Sequence, residues 1–180
     1  MEMTKKELRS LMRKRAAEIP GEESSEWSGT IWNKVERLPQ FRDAGCVLLY
    51  MSIPGEVETG KFIERWCGVK KIAIPLVCGE RLELRKYDIN HLQRGYKDIL
   101  EPSQDAEIIS PSEIDLAIVP GMAFSRCNGK VSRLGRGGGF YDRLLPELEC
   151  PVIGVAFSFR ITDNVPLEPW DVPLSDVITE

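Results

Sequence analysis

The densest chemistry in the 180-residue sequence lies at Arg133-Leu-Gly-Arg-Gly-Gly-Gly-Phe-Tyr-Asp-Arg143. Gly135, Gly137, Gly138 and Gly139 can adopt positive φ and let a ligand come close to the backbone. Residues 140–145 read as the first turns of a helix that Pro146 stops or kinks. A glycine-rich loop feeding a helix N-terminus offers free N–H groups and a partial positive charge, which suits phosphate. Arg133, Arg136 and Arg143 add charge-assisted donors, each worth roughly 1.5–3 kcal/mol when desolvated and paired. The pattern is neither G-x-x-x-x-G-K-[ST] nor a sound G-x-G-x-x-G, so the usual nucleotide fingerprints do not apply. A plain structural turn is the competing reading. Asp142 would repel phosphate unless a cation intervened; Mg²⁺, which takes one or two carboxylates beside phosphate oxygens, is the economical choice.

Composition narrows the field. A net charge of −4 argues against a general nucleic-acid binder, because nothing would neutralise many phosphates. Residues 4–15 carry six bases against one acid, and residues 161–180 carry five acids with no Lys or Arg; the bland reading of both is a solvated face. Cysteines at 46, 67, 78, 127 and 150 form no C-x-x-C, and the one histidine, His91, has no cysteine nearby. Neither a disulfide framework nor a zinc site fits, and a Cys-His nucleophile, possible in principle, has a single His and no local signature. The longest apolar run, Cys46 to Met51, is far short of the roughly 20 residues that span a bilayer. No apolar signal segment follows Met1, so the expected location is cytoplasmic.

The elements that must position this loop follow from periodicity. Thr4-x-x-Glu7 has the form of a capping box, and Leu8, Leu11, Met12, Ala16 and Ile19 make one stripe of a helix over 4–19. Lys5, Arg9 and Arg13 lie four apart along one edge of that stripe. Arg15 falls inside it, either snorkelling or aimed into a cleft. Pro20-Gly21 breaks the chain before a helix carrying Trp27, Ile31, Val35 and Leu38, which Pro39 ends. Buried strands are expected at 46–50, 71–75, 116–119 and 152–157, a half-exposed one at 82–87 and a short one at 176–178. Thr59 is expected to cap a helix with Phe62, Ile63 and Trp66 on one side. Strand–helix–strand order implies an α/β fold in one domain, 1–180, with a mixed, mostly parallel sheet covered by helices on both faces. Ligands then bind beyond the carboxyl ends of the strands.

Five segments, in order along the chain, are shared with one family. They are Lys5-Lys-Glu-Leu-Arg9, Tyr50-Met-Ser-Ile-Pro-Gly-Glu-Val-Glu-Thr59, Gly95-Tyr-Lys-Asp-Ile-Leu-Glu-Pro102, Asp115-Leu-Ala-Ile-Val-Pro-Gly-Met-Ala-Phe124 and the 133–143 loop. Through them the chain resembles the 5-formyltetrahydrofolate cyclo-ligases, also called 5,10-methenyltetrahydrofolate synthetases. The resemblance implies a fold similar to ribose-phosphate isomerases and CoA transferases. It also implies ATP- and Mg²⁺-dependent closure of 5-formyltetrahydrofolate to 5,10-methenyltetrahydrofolate. A monomer with no nucleic-acid or membrane partner is expected. Carried over by position, ATP contacts fall on Lys5, Arg9, Arg133, Leu134, Gly135, Arg136, Gly137, Gly138, Gly139, Phe140 and Tyr141. Folate contacts fall on Met51, Glu56 and 136–140. Arg136 and Glu56 are expected to carry catalysis, and Asp142 with Asp171 to hold the metal.

Three departures accompany the resemblance. Phe140 stands where the family usually has the first Tyr of Tyr-Tyr-Asp. Trp170, expected to cover the site, precedes Asp171 where His is common. The stretch 125–132 is longer than usual, with Ser125 where Asp is typical. Two other functions compatible with these residues are a folate- or nucleotide-binding module with weak turnover and a sugar-phosphate isomerase on the related fold.

Overall fold

The computed structural model describes residues 3–95 and 99–180, so the matched segment at 95–102 lies partly outside the described residues, at 96–98. Thr4 opens the first helix, α1 (Lys5–Ala17), through a complete capping box: Thr4 Oγ1 accepts from Glu7 N–H at 3.3 Å while the Glu7 carboxylate accepts from Thr4 N–H at 2.8 Å. Leu8 and Met12 of the predicted stripe are buried. Arg15 is exposed and donates to Phe159 O at 3.3 Å, a surface cation and not one aimed into a cleft.

Three more helices follow: α2 (Gly21–Glu36), α3 (Pro39–Asp43) and α4 (Gly60–Trp66). The sequence reading let Pro39 end α2 and missed α3. Pro39 also starts it, since the first helical turn needs no N–H from proline. Thr59 precedes α4 but makes no side-chain cap; its Oγ1 accepts from Ser52 N–H at 3.0 Å. That residue ties the chain after the first strand to the start of α4.

The main sheet has seven strands: β1 (Cys46–Leu48), β2 (Lys71–Cys78), β3 (Arg81–Lys86), β6 (Ile108–Ile109), β7 (Leu116–Val119), β10 (Val152–Val155) and β11 (Asp176–Ile178), in spatial order β11-β10-β7-β1-β2-β3-β6. From β11 to β2 every pairing is parallel; β3 and β6 continue the sheet antiparallel. Two separate hairpins complete the fold, β4 (Leu92–Arg94) with β5 (Leu100–Pro102), and β8 (Ala123–Cys127) with β9 (Lys130–Leu134). The second lies where the sequence reading had only a loop. Asn128 and Gly129 both have positive φ, 50° and 74°, as a two-residue turn between right-twisted strands requires.

Alternation along the central strands divides the core. Val47, Leu49, Ile72, Ile74, Ile118 and Val155 face one layer, formed by α2, α3 and α4. Within it Trp32 stacks on Phe62 at 4.1 Å, and Phe41 meets Phe62 at 5.3 Å and Trp66 at 5.0 Å. Cys46, Leu48, Ala73, Ala117 and Val119 face the other layer, covered by Leu144 and Leu145 and by Phe124 and Val131 of the β8–β9 hairpin. Both faces of β1 and β7 are thus dry, which is why their sequences read as unbroken apolar runs. Helix α1 stands apart: Leu8 and Met12 pack on Met122, Ala123, Leu134 and Val165. No helix among the described residues is long and apolar enough to cross a membrane.

Candidate active site

A cavity of about 320 Å³ opens beyond the carboxyl ends of β1 and β7. One wall is apolar: Tyr50, Met51, Pro75, Val77 and Leu82. The glycine-loop segment lines it with Arg133, Gly135, Arg136, Gly138, Gly139, Phe140, Tyr141 and Asp142, and Ile53, Glu56 and residues 99–101 also contribute. Strand ends place these groups because the hydrogen-bonded ladder stops there and the chain must turn.

The glycine loop is short and held by guanidinium groups. Arg9 of α1 crosses to it and its Nε donates to Gly135 O at 2.8 Å, joining residues 126 apart in sequence. Gly137 has φ +106°, a backbone conformation that favours glycine, and Arg9 lies in ordinary contact distance of where a Cβ would stand. Gly139, at φ +67°, precedes α5 (Phe140–Leu144). Arg143 donates through Nη2 to Gly138 O and through Nε to Glu80 O, and lies 5.5 Å over the Phe140 ring. Its donors serve the loop backbone and not an open phosphate position, as its sequence placement had suggested.

Arg133 and Leu134 belong to β9 and not to the loop. The Leu134 side chain is 1% exposed, packed against α1, so this predicted nucleotide contact can offer only its backbone. The Arg133 side chain is nearly buried; it donates to Pro120 O at 3.2 Å and to Asp142 Oδ1 at 3.0 Å and lies 5.1 Å over the Tyr141 ring. Burial pushes the Arg133 guanidinium down from its ordinary range, with the Asp142 charge acting against that shift. Burial also pushes the Tyr141 phenol up, so it stays neutral and keeps its proton. The carboxylate whose place beside phosphates had seemed to need a metal is already neutralised by a cation of the chain.

Glu56 and Arg136 meet across 80 residues. Arg136 Nε and Nη2 both donate to Glu56 Oε1, at 3.0 and 2.8 Å, while Glu56 Oε2 accepts from Ile53 N–H at 3.2 Å. The two side chains differ in exposure, 46% for Arg136 against 9% for Glu56. Lys5 Nζ pairs with Asp171 Oδ2 at 2.7 Å and Glu168 Oε2 at 2.6 Å. Burial disfavours the Lys5 ammonium, but hydrogen bonds and charge from Asp171 and Glu168 outweigh it and hold its pKa above the ordinary lysine value. Lys5 and Asp171 are thus together, but neither lines the cavity. Trp170 is 63% exposed and seals nothing. Ser125 is buried on β8, its hydroxyl accepting from Val165 N–H, so this departure sits in a satisfied structural position.

Sequence reasoning overlooked Arg160. It is 3% exposed at the end of a 3-10 turn (Ser158–Arg160) past β10 and donates to Met122 O at 2.9 Å and Gly55 O at 2.5 Å. An arginine just beyond the carboxyl end of a buried strand was the available signal.

A family model described as the 5-formyltetrahydrofolate cyclo-ligase family matches residues 1–180. The chain is 29% identical to the 5-formyltetrahydrofolate cyclo-ligase of Escherichia coli (strain K12) over 178 residues, 94% of this chain and 96% of that one. It is 29% identical to the enzyme of that name from Haemophilus influenzae, covering 97% and 96%. Among solved structures, the Aquifex aeolicus 5,10-methenyltetrahydrofolate synthetase superposes with a TM-score of 0.87 at 31% identity, covering 98% of this chain and 89% of that one.

Proposed function

We propose, from the premise that the chain belongs to the 5-formyltetrahydrofolate cyclo-ligase family, that its cleft closes 5-formyltetrahydrofolate to 5,10-methenyltetrahydrofolate as ATP becomes ADP and phosphate. The formamide oxygen is a poor leaving group. Transfer of the γ-phosphoryl group to that oxygen breaks its bond to ADP and activates the formyl carbon. The N10 nitrogen then attacks this carbon and gives up its proton, and the C–O bond breaks with its electrons on the departing phosphate. Phosphoryl transfer needs mainly positioning and charge neutralisation.

The residues divide that work. Arg136 supplies the mobile cation: its half-exposed side chain can exchange the Glu56 carboxylate for a phosphoryl oxygen. Glu56, released from Arg136, accepts a hydrogen bond from an N–H of the folate ring. Met51 and the apolar wall take the flat face of that ring. Lys5, Arg9 and Arg133 serve the nucleotide side, with the loop backbone from Gly135 to Tyr141 as donors. The whole chain, 1–180, acts in this reading as one domain and a monomer.

Magnesium belongs to the same proposal. The contacts of Asp142 run through Oδ1 and those of Asp171 through Oδ2, so each has a second oxygen to offer. No group of three His, Cys, Asp or Glu among the described residues forms a ready cage, which suits an ion held by one or two carboxylates, water and phosphate. Bound there, Mg²⁺ would neutralise charge on the phosphates.

The observation that carries the proposal is the convergence of two distant residues on one glycine loop: Arg9 on Gly135 from 126 residues away and Glu56 on Arg136 from 80. The test is incubation with 5-formyltetrahydrofolate, ATP and Mg²⁺ while the near-UV band of the methenyl product is followed. Product formation that depends on both substrates is expected. ATP binding without product would favour a binding module, and no ATP binding would sink the nucleotide role.

A further inference from the structure

The turn at 53–56 has empty space on two sides. In front is the cleft; behind it lies a second cavity of about 400 Å³, whose lining includes Ser24, Ser52 and Phe157, and Ile53 and Glu56 face both. A partition between two voids lacks packing partners on those two sides, so the hydrogen bonds that tie it elsewhere matter to its placement. Its backbone is also special: Gly55 has φ +83°, and a Cβ there would come within 3.1 Å of the Ala16 Cβ.

Arg160 is the strut that crosses to this turn. Its Nη2 holds Gly55 O at 2.5 Å and its Nη1 holds Met122 O at 2.9 Å, tying the turn to the segment before β8. Arg160 is 3% exposed, and a cation so far withdrawn from solvent costs heavily unless its donors are satisfied, as they are by these two carbonyls. The Glu56 carboxylate, next in the chain to Gly55, is a negative charge that acts on it. Two cations therefore act at this turn from different elements: Arg136, half-exposed and bonded to the Glu56 carboxylate, and Arg160, buried and bonded to the adjacent Gly55 carbonyl.

We propose that Arg160 is a positioning residue for the folate side of the site, fixing the Gly55 turn so that Glu56 keeps its place when Arg136 departs. It rests on the folate role given to Glu56 above. Arg160 touches no substrate in this scheme; it acts through Glu56 and the turn.

The test compares wild type, Arg160→Lys and Arg160→Gln by steady-state kinetics with each substrate varied in turn, alongside thermal melting. Arg160→Gln should raise the KM for 5-formyltetrahydrofolate about tenfold while the KM for ATP stays within about twofold, because the nucleotide cations are untouched. Arg160→Lys keeps the charge and one carbonyl contact, and should recover part of that loss, to within about threefold of wild type. If Arg160→Gln fails to fold, the Lys variant alone decides through the same split between the two KM values. Equal rises in both KM values, or a fall in kcat with both KM values unchanged, would overturn the role and leave only a packing residue. A wild type that forms no methenyl product would instead overturn the folate reading itself, a separate and distinguishable failure.

Discussion

The aromatic cluster beneath the sheet and the rim of the cleft hold their shapes by different means. Trp32, Phe41, Phe62 and Trp66 come from three neighbouring helices and are fixed by the area they bury against one another. Around the cleft six cations hold the chain in two ways, and Arg133 does both, since it also donates to Pro120 O. Arg9, Arg143 and Arg160 donate to backbone carbonyls at Gly135, Gly138 and Gly55. Lys5, Arg133 and Arg136 pair with the carboxylates of Asp171, Asp142 and Glu56. A cation bonded to a carbonyl pins the backbone, whereas one paired with a carboxylate can trade that partner for another anion. Arg136 is half-exposed and can leave for a phosphate, but Glu56 is buried, so the exchange is cheap only when the carboxylate gains a new donor such as a folate N–H.

Three substitutions would break or sharpen this contrast. Phe41→Ala empties a fully buried position and should cost about 3–5 kcal/mol of stability, read from urea unfolding, yet leave both KM values unchanged at temperatures where the variant is folded. If the KM values move with stability, cluster and rim are not independent. Arg9→Ala should do the reverse. Loss of the pin on Gly135 should raise the ATP requirement roughly tenfold or more, equivalent to about 1.5–3 kcal/mol, with a melting temperature close to wild type. Parallel losses of affinity and stability would make Arg9 a packing residue. The smallest effect belongs to Phe140→Tyr. The ring already lies under the Arg143 guanidinium, and one added hydroxyl should change kcat/KM by no more than about tenfold in either direction. A wild type inactive until this change is made would show that the hydroxyl is required.

The parallel part of the sheet was legible because β1 and β7 are buried on both faces and short, so composition alone marks them. The capping box of α1 was legible for a similar reason, since its two hydrogen bonds are local. The hairpin at 123–134 was missed although Asn128-Gly129 is a strong turn signal; the charged Arg126 and Lys130 hid the alternation of its strands. Within the site, residue types suggested which chemistry was present but not which partner each charge had chosen. Nothing local in the sequence pairs Arg136 with Glu56, Asp142 with Arg133 or Lys5 with Asp171. Those choices depend on tertiary distance. Arg160, just past a buried strand, gave a positional signal but no partner to look for, because its work is done on carbonyl oxygens, which every residue has.

The isolation of α1 has a consequence for how the molecule is made. Its apolar stripe, Leu8 and Met12, packs on Met122, Ala123, Leu134 and Val165, all from the later part of the chain. On the ribosome this helix emerges before its docking surface exists, and a 13-residue amphipathic helix is marginal alone in water. The sheet and the aromatic cluster can assemble from nearer neighbours while α1 waits, its two large side chains exposed. Loop closure over more than a hundred residues then joins it to the rim, the slow kind of contact in folding. Nascent and refolding chains should therefore pass through a form with a finished core and an unfinished cleft, and catalytic competence should lag behind compaction.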